Sequence, residues 1–241
     1  GRLRYRDERS QELEKLTDFD AYVEGLRKKE QESEKKLRED CEQITKLRKA
    51  SARELSSLIL ESLKELNFLE VQFEIRFDRL DEMTENGVDS VVFEISTNPG
   101  MPVRPLQNVA SGGELSRIML GIKTVMAEKD SIETMIFDEI DTGVSGKAAQ
   151  AIAEKMISIS RHQQAICISH LPQIAAAADH QILVHKGVRD GRTMTETDEL
   201  TGEERIREVA RMISGAEGIT EDAKQYAGQM IEAADRRKRE I

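Results

Sequence analysis

The sequence predicts an α/β lobe preceded by a long helical arm, and three observations carry that prediction. Residues 3–66 are dense in Glu, Lys, Arg and Leu and contain no proline. Beyond Asp138 the chain alternates short apolar runs with stretches of helical periodicity, the pattern of an α/β sheet. Between these regions, residues 109–143 join a glycine-bearing turn, an apolar helix and a short strand that ends in two carboxylates. On this reading residues 1–66 form the arm and residues 67–241 the lobe.

The bulk properties agree with that division. A chain of 241 residues can bury one sizeable core and still carry an elongated appendage. Charged residues make up 34% and aromatic ones 4%, with no Trp, which is lean for a purely globular domain. A formal net charge of -10 argues against a nucleic-acid surface spread over the whole chain, though not against a local patch. Cys41 and Cys167 lie far apart without metal-ligand spacing, so reduced thiols are expected. Without a signal peptide or an apolar run near 18 residues, the chain is expected to be soluble and intracellular. A start at Gly1, inside helical sequence and without Met, predicts an excised fragment.

In the arm, a heptad frame places Leu16, Val23, Leu37, Ile44 and Leu58 at a, and Phe19, Leu26 and Leu47 at d. Glu30, Ser33, Asp40 and Ser51 interrupt the seam. Two readings stay open: one arm of a coiled coil, or an amphipathic helix packed on its own domain. Basic stretches at residues 27–29 and 46–53 are candidates for DNA contact or simply a solvated face. Near Asn67 the period changes to two, with Val71, Phe73, Ile75 and Phe77 on one side. A second run at 90–95 predicts an antiparallel hairpin with a long connection through Asn86-Gly87. Residues 97–105 then break regular structure with Pro99, Gly100, Pro102 and Pro105.

Ser111 and Glu114 fit an S-x-x-E capping box, which starts a helix carrying Leu115, Ile118, Met119, Ile122, Val125 and Met126. Gly112 and Gly113 leave that helix end open to an anion. Residues 134–137 form a strand, and Asp138-Glu139 at its carboxyl end suit a metal or a proton transfer. A helix over 145–160 follows, with Ala148, Ile152, Met156 and Ile159 on its apolar face. Next come a strand at 165–169, His170, a short helix from Pro172 to Ala178, a strand at 181–185, a turn at 187–191 and an edge strand at 193–199. Helices at 203–214 and 221–239 close the chain, the last ending in a basic run at 236–239 that suits a solvated or dipole-matching terminus. Functional groups gather at the carboxyl ends of strands in open α/β sheets, so Asp138, Glu139 and His170 are expected on one edge. One carboxylate holding Mg²⁺, another accepting a proton from water and an imidazole near the phosphate would make a phosphohydrolase.

The ordered set resembles the second half of an ABC-type P-loop ATPase head. Ser111-Gly112-Gly113-Glu114 looks like the signature motif and Met135-Ile136-Phe137-Asp138-Glu139 like Walker B, with Asp141 in the D-loop and His170 in the H-loop. The helical arm narrows the resemblance to SMC-like ATPases. Thr97-Asn98-Pro99-Gly100, residues 109–117, residues 137–146 and residues 168–173 are similar to the bacterial RecN family. The resemblance implies the C-terminal lobe of an ABC-type head acting in DNA double-strand break repair, with ATP and Mg²⁺ as cofactors. Asp138 would hold Mg²⁺ through water, Glu139 would polarise the attacking water, and His170 would contact the γ-phosphate. Ser111, Gly112, Gly113 and Glu114 would bind the nucleotide of a second copy, and Asp141 would cross that interface. Implied partners are an N-terminal lobe of the same protein bearing Walker A, a second copy in a head-to-head homodimer, and DNA, with no membrane, in the cytoplasm at the nucleoid. No G-x-x-x-x-G-K-[ST] occurs in the sequence, and Gly143 to Ala148 lacks its spacing, so this chain alone is expected to be inactive. The alternatives are a non-catalytic coiled-coil adaptor that only dimerises, or another SMC-like chromosome-processing protein; the Cys-x-x-Cys hook of one such group is absent.

Overall fold

One uninterrupted helix, α1 (Arg2–Glu65), forms where the sequence carries neither proline nor a turn residue run. The structure, a computed structural model, describes residues 2–108, 112–129, 131–189, 192–215 and 218–240. Its chain divides into two compact units, Gly1–Arg53 with Arg76–Val91, and Glu54–Ile75 with Val92–Ile241.

In the first unit the expected seam residues Phe19, Leu26, Leu37, Ile44 and Leu47 are exposed, and Val23 is half-buried. The side chain of Leu16 lies outside the described ones. The unit's contacts come instead from the far part of a hairpin, β1 (Gln72–Thr84) and β2 (Gly87–Ser96). Thr45 Oγ1 donates to Asp89 (2.8 Å), and Arg48 Nη1 lies 3.2 Å from the same carboxylate, which is nearly buried. The hairpin corrects the expectation of a long connection. The two strands are hydrogen-bonded neighbours joined by Glu85 and Asn86 alone. Gly87 supplies the positive φ (94°) that the tight link requires, and Thr84 Oγ1 donates to the Gly87 carbonyl (2.8 Å). Residues 78–84 belong to β1 but are almost all exposed, so they carry no apolar alternation to announce a strand.

The second unit holds the main core. Ile59 and Leu63 at the end of α1, and Leu66 just after it, are fully buried in one core with α2 (Gly112–Met126) and α3 (Lys147–Ser160), each worth about 1.5–3 kcal/mol of transfer free energy. The last turns of the predicted arm are therefore core. Gly121 permits the approach: a Cβ there would come within 2.9 Å of Leu63 Cδ2, and Ser62 Oγ donates to the Gly121 carbonyl (3.1 Å). The predicted apolar face of α3, Ala148, Ile152, Met156 and Ile159, is buried. Its start shifts from 145 to Lys147, after Gly146 at φ 53°.

Strand β3 (Arg104–Pro105) pairs antiparallel with β2, inside the stretch expected to be irregular. Strands β4 (Thr134–Phe137) and β5 (Gln164–Cys167) pair in parallel, Phe137 opposite Cys167, with α3 as their crossover. Helix α4 (Pro172–Ala177) opens on proline at its first turn. Strands β6 (Gln181–Arg189) and β7 (Arg192–Leu200) pair antiparallel along their length. Here the expected turn at 187–191 is corrected. Gly187 continues β6 opposite Met194, and the Glu196 carboxylate lies where a side chain on Gly187 would stand. Asp190 and Gly191 lie outside the described residues. Helices α5 (Gly202–Ser214) and α6 (Glu221–Glu240) pack on α4 through Ala176, Val209, Ala210, Ala223 and Ala227. Lys238 of the basic run donates to the Ala178 carbonyl at the end of α4 (3.2 Å) and pairs with Asp179 (2.7 Å), matching a helix dipole other than its own. No described helix is long and apolar enough to cross a membrane.

The two ends of α1 should respond differently to truncation. Leu63→Ala, at a fully buried position, should cost about 2–5 kcal/mol of unfolding free energy. Leu47→Ala, 69% exposed, should change it by less than about 0.5 kcal/mol in this chain. Urea unfolding followed by circular dichroism measures both, and equal losses would contradict the burial pattern.

Candidate functional site

Parallel pairing of β4 and β5 brings their carboxyl ends to one edge. Between β4 and α3 the chain makes a tight turn that begins at Asp138-Glu139. Asp138 Oδ1 accepts from the Glu139 amide (2.8 Å), and the Thr142 amide donates to the Glu139 carbonyl (3.1 Å). Glu139 holds φ 55°, a left-handed conformation that costs a non-glycine residue about 1–3 kcal/mol. The turn persists because α2 clamps it. Ser116 Oγ donates to the Asp138 carbonyl (2.8 Å), while Arg117 Nη1 donates to the carbonyls of Thr142 (2.8 Å) and Ile140 (3.4 Å).

Glycine makes this contact possible. A Cβ on Gly113 would lie 2.9 Å from the Glu139 carbonyl and 3.0 Å from Thr142 Cβ, so backbone meets backbone. A Cβ on Gly112 would lie 2.9 Å from Glu139 Oε2, which puts the carboxylate against the first turn of α2. Glu114, half-buried in that turn, and Arg117 interact: burial lowers the Arg117 pKa and the Glu114 charge opposes the shift. The capping-box partner Ser111, with Val109 and Ala110, lies outside the described residues.

Asp141 is buried, and its Oδ2 accepts from Ser169 Oγ (2.6 Å) and the His170 amide (2.8 Å), with His170 Nδ1 2.9 Å away. Ser169 Oγ also accepts from the Leu171 amide (3.0 Å). These bonds end β5 at Cys167, two residues before the expected end, by folding Ser169 and His170 toward Asp141. The imidazole itself is 76% exposed. Cys167 sits beneath this edge. Burial first, then the charges of Asp141 and Asp138, push its thiol pKa up to about 12.

The edge thus joins Asp141 to His170 directly, and Glu139 to the Gly112–Gly113 helix end. Asp138 and Glu139 are exposed at the end of β4. Among the described residues no three His, Cys, Asp or Glu side chains converge as a metal cage. The exposed Asp138 carboxylate at the strand end is a donor of the kind Mg²⁺ takes, directly or through water. Sequence reasoning passed over Ser116, Arg117 and Ser169. A signal for Arg117 was present: residues 113, 117 and 121 recur every four positions, placing an arginine on the stripe whose two other members are glycines.

Comparison with known proteins now bears on this geometry. No family model matches the chain. It is 37% identical to the DNA repair protein RecN of Bacillus subtilis over 251 aligned positions, covering 98% of this chain and 43% of that protein. It is 48% identical over 195 residues to the DNA repair protein RecN of Halalkalibacterium halodurans, covering 79% of this chain and 34% of that one. The chain belongs to the RecN family. It spans less than half the length of these RecN relatives. Among solved structures, an SMC head domain with a coiled coil and joint from Pyrococcus yayanosii is 20% identical, covering 68% of this chain and 29% of that one, with a TM-score of 0.48.

The chemistry of Cys167 gives a direct check on the RecN-type edge. In the folded chain at pH 8 its thiol lies far below its pKa, so iodoacetamide should alkylate it only after denaturation. Asp141→Asn should lower that pKa and speed labelling at pH 9–10, as read by mass spectrometry. Fast labelling of the unaltered folded chain at pH 8 would show that the thiol is not held as described.

Proposed function

We propose that this chain is the part of a RecN-type ATPase that carries the signature helix, the Mg²⁺ and water-directing carboxylates and the phosphate-contacting histidine, acting in DNA double-strand break repair. The observation that carries the reading is the single edge on which Asp138, Glu139 and the Asp141–His170 pair meet the glycine end of α2. Glu139 is an exposed carboxylate fixed by a strained turn, suited to take a proton from water as its oxygen attacks the γ-phosphorus. The bond from that phosphorus to the bridging oxygen breaks, releasing ADP and phosphate. Asp138 would hold Mg²⁺ through water, and the ion when bound would neutralise charge developing on the phosphate.

Asp141 is buried, and its carboxylate accepts from Ser169 Oγ and the His170 amide, which braces His170 in its own lobe. With Nδ1 turned to Asp141, the exposed ring would offer Nε2 to a phosphate oxygen. Gly112 and Gly113, with Ser111 and Glu114, give the helix end that meets the nucleotide of a second copy. ATP-driven engagement of two such heads would be coupled to DNA binding or end joining in the cytoplasm.

Apolar residues left exposed on the strands support a further lobe of the same protein. Ile136 and Ile166 stand exposed on the parallel β4–β5 pair. Parallel strands are ordinarily covered on both faces, so this surface suits the Walker A lobe that the greater length of the relatives leaves room for. The exposed heptad residues of α1 likewise suit a second helix of a coiled coil.

The test is ATP turnover by this chain alone, with the Walker A lobe supplied, and with Glu139→Gln in that mixture. Turnover should appear only on mixing, and the substitution should lower kcat by about 10²–10⁴-fold. Hydrolysis that ignores residue 139 would remove it as the base. A folded, assembled complex that fails to bind ATP would leave the adaptor reading in its place.

A further inference from the structure

Arg117 is an unusual charge to find in this core. It sits on the buried stripe of α2 between Gly113 and Gly121, and only 9% of it is exposed. Its guanidinium lies 5.6 Å from the centre of the Phe68 ring, and its Nη1 is 3.4 Å from where a Cβ on Gly113 would stand. The same Nη1 donates to the carbonyls of Ile140 and Thr142, which flank Asp141. Its side chain therefore joins three segments: the chain just after α1, the signature-like helix, and the turn that carries Asp138, Glu139 and Asp141. A charge that is buried among apolar groups and spent on two backbone carbonyls is fixing a backbone shape. Ser116 does the same one residue earlier at the Asp138 carbonyl (2.8 Å).

We propose that Arg117, assisted by Ser116, is a positioning residue for hydrolysis, holding the 138–142 turn in the strained form that aims Glu139. The proposal rests on the reading of Glu139 as the group that polarises water. The strain sits at Glu139 (φ 55°), and the carbonyls of residues 138, 140 and 142 are each gripped from α2, so the left-handed residue lies inside a clamped segment. Without the clamp the turn relaxes, and Glu139 stays in the protein but leaves its place. Substrate is contacted by neither Arg117 nor Ser116 in this account, so binding is spared while chemistry suffers.

The experiment uses the full-length RecN-type protein that contains this chain. Steady-state ATP hydrolysis is measured for Arg117→Gln, Arg117→Lys, Ser116→Ala, Glu139→Gln and the double variant Arg117→Gln/Glu139→Gln. Arg117→Gln should lower kcat by about 10–100-fold with KM within about threefold. Arg117→Lys, which keeps the charge and a donor, should recover part of that loss, and Ser116→Ala should lower kcat several-fold. The double variant should be no slower than Glu139→Gln alone, because Arg117 acts through Glu139. Should Arg117→Gln fail to fold, the Lys and Ser116→Ala variants decide, and full activity in both overturns the proposal. Unchanged kcat in Arg117→Gln, or a loss that multiplies in full on Glu139→Gln, overturns it while leaving the hydrolytic reading intact. If Glu139→Gln itself keeps its turnover, both fall together.

Discussion

Everything at the proposed site depends on how closely α2 can approach the turn after β4. At Gly113 no side chain separates them, and the helix backbone lies against the Glu139 carbonyl. That proximity lets two short-range donors, Ser116 and Arg117, reach three carbonyls of the turn. The magnitudes favour the strained form. A left-handed glutamate costs about 1–3 kcal/mol. Hydrogen bonds from a charged donor contribute about 1.5–3 kcal/mol each and a neutral one about 0.5–1.5 kcal/mol. Even with the 3.4 Å bond discounted, the clamp offsets the strain. What Arg117 loses by burial is partly returned by those bonds, by the Phe68 ring and by the nearby Glu114 charge. The strain at Glu139 and the burial of Arg117 are thus two sides of one arrangement, and neither is stable without the other.

Helix α1 shows how one regular element serves two environments. Its backbone needs nothing but the absence of breakers, so it is continuous. Its side chains differ. Ile59 and Leu63 are fully buried, whereas Phe19, Leu26 and Leu47 lie largely in solvent. A leucine such as Leu47 in water carries no penalty in the helix itself but forgoes about 1.5–3 kcal/mol of available burial. Repeating that at heptad spacing favours a second helix along the seam, with Asp40 and Ser51 marking where the seam is loosely sealed.

Much of this was legible in the chain. The long helix, the β4–α3–β5 unit, the buried face of α3 and the carboxylates at the end of β4 follow from periodicity and breakers, which are local signals. Relations across distance were harder. The hairpin tip escapes the pattern because residues 78–84 are almost all exposed, which erases the period of two on which a strand is recognised. Gly187 suggests a turn because glycine usually marks one, but here it clears room for the Glu196 carboxylate on the neighbouring strand. The pairing of Asp141 with Ser169 and His170 depends on two loops meeting, which no spacing within either loop reveals.

The electrostatics of the edge argue that the proposed site is built to be completed by other groups. Asp138, Glu139 and Asp141 put three carboxylates within four residues, and Cys167 is held as a thiol partly by two of them. A nucleotide brings several more negative charges to the same place. Two like charges 4 Å apart repel by about 1 kcal/mol in water and about 4 kcal/mol at a partly shielded surface. Arg117 is turned to the backbone of the turn, where its Nη1 donates to the carbonyls of Ile140 and Thr142. The dipole of α2 can offset the repulsion, but Glu139 already lies against its first turn. A divalent cation at Asp138 and cationic groups from a second lobe would reverse the sign of the field. Under the proposed function, the acidity of the isolated edge makes nucleotide binding conditional on assembly.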